Sequence, residues 1–168
     1  MLEKGAELLV GVRILARALG VKKSFVGVEN NKPDAIKHLR EVIARDGYKG
    51  IEVMPLKMRY PQGGEKQLIA AVTGRQVPPP PALPISVGAV VCNVSSAIAV
   101  YEAVQKNKPL VERVVTVTGK SLKSTHNYLA RFGTSVSSLL ELSGGLPEGD
   151  VKILNGGPMM GRAIVDVS

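Results

Sequence analysis

Leu8, Leu9, Val12, Leu15, Ala16 and Leu19 recur every three or four residues, with Lys4, Arg13 and Arg17 among the intervening positions. That spacing predicts an amphipathic helix with one apolar side, and Gly20 supplies its stop. Ser24 to Val28 (SFVGV) has the length and apolar character of a buried strand. Asn30, Asn31 and Pro33 then offer cap and first-turn chemistry for a second helix, with Ile36, Leu39 and Ile43 on its inner face. Ile51 to Leu56 (IEVMPL) reads as another strand, and Pro55 places its end near a sheet edge or bend. A loop with Pro61, Gly63 and Gly64 feeds a helix from Glu65 to Thr73, closed by Gly74. Pro78 to Pro81 with Pro84 can continue neither helix nor ladder, so Gln76 to Ser86 is predicted to be a stiff extended connection, able to act as an arm over a site. Val87 to Cys92 (VGAVVC) is predicted as a third buried strand, and Ser95 to Lys106 as a helix lined on one side by Ala97, Tyr101 and Val104.

Alternating helices and strands place this first part, residues 1–107, in the α/β class, with strand-end loops as the binding edge. The texture changes from Leu110 onward. Val111, Val115 and Val117, and then Tyr128 to Phe132, have strand character. One helix follows, with Thr134 as its cap, Val136, Leu139 and Leu140 as its inner stripe, and Gly144 and Gly145 as its end. Val151 to Leu154 and Ala163 to Val167 complete the strands, so residues 108–168 are expected to form a small α+β module of the β-grasp kind.

The totals narrow the function classes. A chain of 168 residues, 45% hydrophobic and 21% charged, is an ordinary folded protein. Its 22 Lys and Arg against 14 Asp and Glu give +8, which favours anionic partners such as phosphate-bearing cofactors or acidic proteins. With no Trp, two Phe and four Tyr, it lacks the stacking platform of a single-strand nucleic-acid binder, and no nucleic-acid partner is expected. A single cysteine, Cys92, excludes an internal disulfide and cannot supply the four thiolates of an ordinary iron–sulfur cluster. No apolar run is long enough to span a bilayer, because Arg13 and Arg17 interrupt the first one, so a cytoplasmic chain with no membrane insertion is expected.

Several segments carry candidate chemistry, each with a plainer alternative. In Tyr60 to Leu68 (YPQGGEKQL), Gly63 and Gly64 enter a helix where backbone N–H groups can face an anion, and Lys66 adds a mobile positive charge in the first turn. The alternative is a glycine turn that only launches the helix, and the segment is neither a P-loop nor a G-x-G-x-x-G fingerprint. Glu29, Asn30 and Asn31 follow a strand and can meet a ribityl chain or ribose, or the asparagines can cap the next helix. Asn93, Ser95 and Ser96 hold the equivalent position later and face the same choice. Cys92 reads as a small buried filler. His38 and His126 have no metal-ligand spacing around them. Asn155 to Gly161 (NGGPMMG) is a turn with two flexible apolar side chains, which either dock something or finish a small core.

Taken in order, VGVENNKPDAI (26–36), YPQGGEKQLI (60–69), VCNVSSAIAVYEAV (91–104), PLVERVVTVTG (109–119) and NGGPMMG (155–161) resemble the C subunit of the Rnf electron-transport complex. That family is similar to the flavin-carrying, NADH-oxidising subunit of respiratory complex I. The resemblance implies a three-layer α/β flavin and NADH domain followed by a soluble-ligand-binding β-grasp domain. It implies FMN and NADH as cofactors, with [4Fe–4S] clusters in the parent protein only. Carried over residue by residue, Glu29 corresponds to an acidic residue near the flavin and nicotinamide, Gly63, Gly64 and Glu65 to the turn that approaches the nucleotide, and Asn93 to an asparagine close to the flavin phosphate. Asn30, Lys66 and Ser95, beside them in the sequence, are further cofactor-binding candidates. The family's upstream Gly-rich flavin loop and downstream Cys-rich cluster motifs are not in this sequence. The expectation is therefore a partial chain, catalytically inactive by itself, from a bacterial NADH-dependent oxidoreductase complex. In that complex it would contact other subunits at the inner face of the cell membrane. The competing expectation is a β-grasp ligand- or partner-binding module, such as that of a corrin reductase.

Overall fold

The computed structural model describes residues 1–146 and 148–167. Its chain divides into two compact units, Met1–Pro109 and Leu110–Ser168.

In the first unit, α1 (Gly5–Leu19) ends at Gly20, β1 (Ser24–Glu29) follows, and α2 (Pro33–Asp46) begins with proline at its first turn. Next come β2 (Ile51–Leu56), α3 (Glu65–Thr73) and α4 (Val94–Lys106). β1 and β2 pair in parallel from Ser24↔Ile51 to Glu29↔Leu56, which requires the crossover that α2 provides. Val26 and Val28 of β1 and Ile51 and Val53 of β2 are buried with Leu8, Leu9, Ala35, Ile36, Leu39, Val42 and Ala97 in one cluster. The helices thus cover the parallel pair, as an α/β unit must. Each of the largest of these side chains, Leu8, Leu9 and Leu39, is almost wholly buried and stabilises the unit by roughly 1.5–3 kcal/mol.

Two contacts fix α4 on α1. The Lys4 ammonium donates to Glu102 Oε1 at 2.9 Å. Seven residues further along α1, Gly11 lies so close to α4 that a β-carbon there would collide with the Ala97 carbonyl. As α1 advances from 4 to 11, its partner on α4 retreats from 102 to 97, so the two helices run antiparallel.

Several expectations are corrected. Val87 to Cys92 forms no strand: Val87 closes a 3-10 turn at Pro84–Val87 and the chain then runs irregularly to α4. The 3-10 turn also interrupts the extended connection expected up to Ser86. Cys92 is exposed rather than buried. Along α4, Ala97 is buried, but Tyr101 is only half-buried and Val104 is 60% exposed. The first residue flanking α2 is Lys32, with no side-chain cap, so neither Asn30 nor Asn31 caps it.

The second unit has β3 (Glu112–Val117) and β4 (His126–Arg131), then α5 (Val136–Leu142), then β5 (Ile153–Asn155) and β6 (Arg162–Ile164). The order strand, strand, helix, strand, strand is that of the expected α+β module. β3 pairs antiparallel with β4, and β5 with β6. Ser135, not Thr134, caps α5, accepting from the Ser138 N–H at 3.2 Å. Ser143 is fully buried and satisfied twice, by the Tyr128 hydroxyl and by the Leu139 carbonyl, each at 3.0 Å. Met159 and Met160, at 72% and 88% exposure, lie in the β5–β6 connection and do not finish the core.

Candidate functional site

Parallel pairing brings the C-terminal ends of β1 and β2 side by side, so the loops leaving them start from one edge. Glu29 and Leu56 are register partners there, and the Asn30 N–H extends the ladder to the Leu56 carbonyl at 2.7 Å. The chain then turns, with the Lys32 N–H on the Glu29 carbonyl at 3.0 Å. A side-chain contact joins the two loops directly: the Asn31 amide donates to the Met58 sulfur at 3.1 Å. Glu29, Asn30 and Asn31 are exposed, as are Lys57, Met58, Arg59 and Tyr60 on the other loop.

From Lys57 the second loop descends through two successive turns, Gln62 N–H to Arg59 carbonyl and Gly64 N–H to Pro61 carbonyl, both 2.7 Å. Gly64 is the N-cap of α3 in extended conformation and offers no capping side chain. A β-carbon on Gly64 would come within 2.6 Å of Gln67 Oε1 and 3.1 Å of the Pro61 carbonyl, so glycine permits this tight entry. At Gly63 a side chain would meet nothing within 4 Å, so the turn presents open backbone. Glu65 stands in the first turn of α3. Lys66 is not mobile as expected: its ammonium donates to the Pro78 carbonyl at 2.9 Å.

Beside this edge, an open cleft of about 600 Å³ is bounded by Gly27 to Glu29 of β1, by Lys32, Asp34 and Ala35 at the start of α2, and by Met1 to Glu3. It places Glu29, Asp34 and Glu3 around one concavity with Lys32 as the opposing charge.

Asn93 and Ser95 lie at the start of α4, and the expected cap is present, with Asn93 Oδ1 accepting from the Ser95 N–H at 2.9 Å. Helix α4 is anchored through α1, and the end it presents to Lys4 carries Glu102. Nine residues of helix separate Asn93 from Glu102, about 13 Å. Glu29, Asn30 and the loop ending in Gly63 and Gly64 are therefore linked by hydrogen bonds at one edge, whereas Asn93 and Ser95 sit on an element positioned by α1.

The basic pair Lys57 and Arg59, and Lys32 and Asp34 in the cleft, escaped the sequence reading. The signal for Lys57 and Arg59 was present: two cations directly follow a strand predicted to end at the binding edge. Among the described residues no cluster of His, Cys, Asp and Glu is placed to hold a metal ion. No helix there is long and apolar enough to cross a membrane.

Residues 1–102 match the Nuo51 FMN-binding domain, and residues 114–163 match the SLBB domain. The chain is 45% identical over 163 residues to the C subunit of the proton-translocating ferredoxin:NAD(+) oxidoreductase complex of Clostridium ljungdahlii, covering 97% of this chain and 35% of that protein. It is 40% identical to the Na(+)-translocating counterpart of Acetobacterium woodii, covering 96% of this chain and 36% of that protein. With the C subunit of the ion-translocating oxidoreductase complex of Rhodobacter capsulatus the identity is 41%, over 98% of this chain and 31% of the relative. The chain thus spans about a third of the length of these curated relatives. A crystal structure of an NAD+-reducing [NiFe]-hydrogenase superposes with a TM-score of 0.70 at 19% identity, over 90% of this chain and 30% of that one, which supports the α/β fold class. With the matched model covering well over half its residues, the chain belongs to the Nuo51 FMN-binding domain family, carries an SLBB domain after it, and is similar to the C subunit of Rnf-type complexes.

Proposed function

We propose that this chain forms one wall of the flavin and NADH site of an Rnf-type C subunit, within a longer electron-transfer protein. The observation that carries this reading is the Asn31–Met58 hydrogen bond at the shared end of β1 and β2, which holds the Glu29–Asn31 turn against the loop leading to Gly63 and Gly64. Open backbone at Gly63 and exposed cations at Lys32, Lys57 and Arg59 suit a phosphate-bearing ligand. Glu29 and Asn30 supply hydrogen-bonding groups for a ribityl chain, ribose or carboxamide, and Gly64 and Glu65 fix the approach of α3. Asn93 and Ser95 enter the site on the family resemblance, since their helix is set by α1.

A bound FMN would supply the chemistry, hydride acceptance from NADH and release of electrons one at a time. The chain's own share is to orient the nucleotide and set its electrostatic surroundings. The iron–sulfur clusters that receive those electrons, and the partner subunits at the inner membrane face, belong to the parent assembly in this reading. Only part of the site's wall is present in these 168 residues, so flavin affinity here is low and the piece has no NADH oxidation of its own.

Calorimetric titration and amide chemical-shift mapping test this. FMN and NADH at millimolar concentration should shift residues 29–31 and 57–66, with dissociation constants far above those of a resident cofactor. Tight stoichiometric FMN binding would refute the incompleteness, and shifts confined to the second unit would refute the site.

That last outcome would favour a second reading, in which residues 110–168 are a ligand- or partner-binding module. Its support is the exposed apolar pair Val114 and Leu129, directly opposed across β3 and β4 at 63% and 65% exposure.

A further inference from the structure

The proline-rich segment after α3 has a definite course. Gly74 ends α3 in the left-handed conformation, and only four residues later the Pro78 carbonyl accepts from Lys66, in the first turn of the same helix. From Gly74 back to Lys66 is eight residues of helix, about 12 Å. Four residues of extended chain cover about 13 Å. The chain 74–78 therefore doubles back along α3 far enough for the Lys66 side chain to reach it, and the proline run 78–81 begins at that contact. It then turns, with the Ala82 N–H on the Pro79 carbonyl at 3.1 Å. The return leg ends where Arg75 donates to the Val87 carbonyl at 2.8 Å.

Two cations from the two ends of α3 thus hold the strap 76–88, each through a backbone carbonyl. Its large apolar side chains do little to hold it: Leu83 and Ile85 are 64% and 66% exposed and point away from the core. Lys66 is also the cation nearest in sequence to the open backbone at Gly63. While it serves Pro78, its ammonium is committed to a neutral carbonyl, and an anion offers it a stronger, charge-assisted partner.

We propose that the strap 76–88 is a lid on the α3 end of the nucleotide site, latched by Lys66, and that a phosphate-bearing ligand opens it by drawing the Lys66 ammonium away from the Pro78 carbonyl. The idea rests on the nucleotide reading above and adds its regulation. Arg75 keeps its hold on Val87, so opening pivots at that end. By reciprocity, a lid that opens on phosphate binding also weakens that binding when it is latched, and removing the latch raises phosphate affinity for the remaining groups.

Elastase cleavage after Ala82 and Val87, read by mass spectrometry on the whole chain, reports lid opening. Pyrophosphate is the probe, with chloride at matched ionic strength as the control. Cleavage of the unaltered chain should rise on the order of tenfold with pyrophosphate, as expected when a local opening is shifted by loss of one charge-assisted bond. Lys66→Met and Lys66→Gln should cleave at the raised rate without pyrophosphate and no longer respond to it, whereas Lys66→Arg should retain the response. Arg75→Ala should raise cleavage while preserving the response. If both Lys66 variants cleave at the original rate with unchanged circular dichroism, there is no latch and the proposal falls. If they cleave faster but pyrophosphate leaves the unaltered chain unchanged, the strap is not ligand-gated and the proposal also falls. The FMN and NADH shift mapping judges the nucleotide site separately from either result.

Discussion

The two units are built from similar proportions of apolar sequence but use it differently. Among the described residues, thirteen of the fourteen buried apolar side chains lie in Met1–Pro109, and Leu140 alone lies in the second unit. The first unit also carries sixteen of the 22 basic residues and nine of the 14 acidic ones, so nearly all of the positive surplus belongs to it. The difference follows from topology. A parallel pair needs a crossover helix, and that helix brings with it an apolar face that buries both strands. An antiparallel hairpin closes through a short connection and obtains no such cover, so Val114, Leu129 and Phe132 stay 63–65% exposed. Two-stranded hairpins on one short helix are marginal by themselves. The second unit should accordingly be the less stable one.

Two substitutions probe that contrast most strongly. Gly11→Ala drives a β-carbon into the Ala97 carbonyl, and because both helices are fixed on the same core, they must separate. A loss of about 3 kcal/mol is expected, confined to the first unit. Leu140→Ala removes the one buried apolar side chain among the described residues of the second unit and should cost about 2 kcal/mol. That smaller loss should nonetheless abolish hydrogen-exchange protection in β3 and β4, while Gly11→Ala leaves the first unit destabilised but folded. Exchange measured peptide by peptide distinguishes the units. The comparison breaks if Leu140→Ala leaves β3 and β4 protected.

The same contrast explains what was legible in the sequence. The apolar stripe and glycine stop of α1 made that helix and its end readable, because burial of one face writes a period into the chain, while α3 was readable to the residue from the glycines that flank it, and β2 from its apolar run. Val87 to Cys92 misled because an apolar run suits a buried strand and an irregular segment equally well, and nothing local states that a partner strand is near. The short strands β5 and β6 gave only approximate bounds, since three residues leave little alternation to read. Within the candidate site, the turns themselves were visible as Gly and Asn after strands. That strand-end loops share a binding edge was expected, but the contact that joins two of them was not legible, because Asn31 and Met58 are 27 residues apart and only parallel pairing brings them together. The commitment of Lys66 to Pro78 was hidden for the same reason: proline advertises stiffness but not direction.

Helix caps sharpen the comparison on a finer scale. Asn93→Ala and Ser135→Ala each delete one side-chain acceptor from a helix N-terminus and should each cost about 1 kcal/mol. On α4 the loss should register only as local fraying, because Val94 and Ile98 still pack against the core. On α5 an equal loss falls on a unit with little buried apolar surface, and exchange should rise throughout residues 112–142. Equal and purely local effects on both helices would contradict the stability difference.

The smallest effect concerns Glu102, whose carboxylate accepts from Lys4 at 2.9 Å and lies 3.6 Å from the Lys108 ammonium, with its side chain 20% exposed. The hydrogen bond from Lys4 holds its pKa below the ordinary value of 4.5 against the opposing desolvation, with the charges of Lys4 and Lys108 adding smaller contributions in the same direction as the hydrogen bond. Because folding lowers this pKa, the ionised form is favoured in the folded chain. The stabilisation is therefore fully present above pH 4.5 and is lost as the pH falls through the lower folded value. Glu102→Gln should cost about 0.5 kcal/mol near neutrality, the scale of a largely screened ion pair. The deficit should persist from neutrality down to the ordinary glutamate value of 4.5 and shrink as the pH falls through the lower folded value. It should also be confined to the first unit, since α1 and α4 are what the pair joins. A deficit that stayed constant throughout that acid range would mean that the glutamate matters for its packing against α1 rather than for its charge.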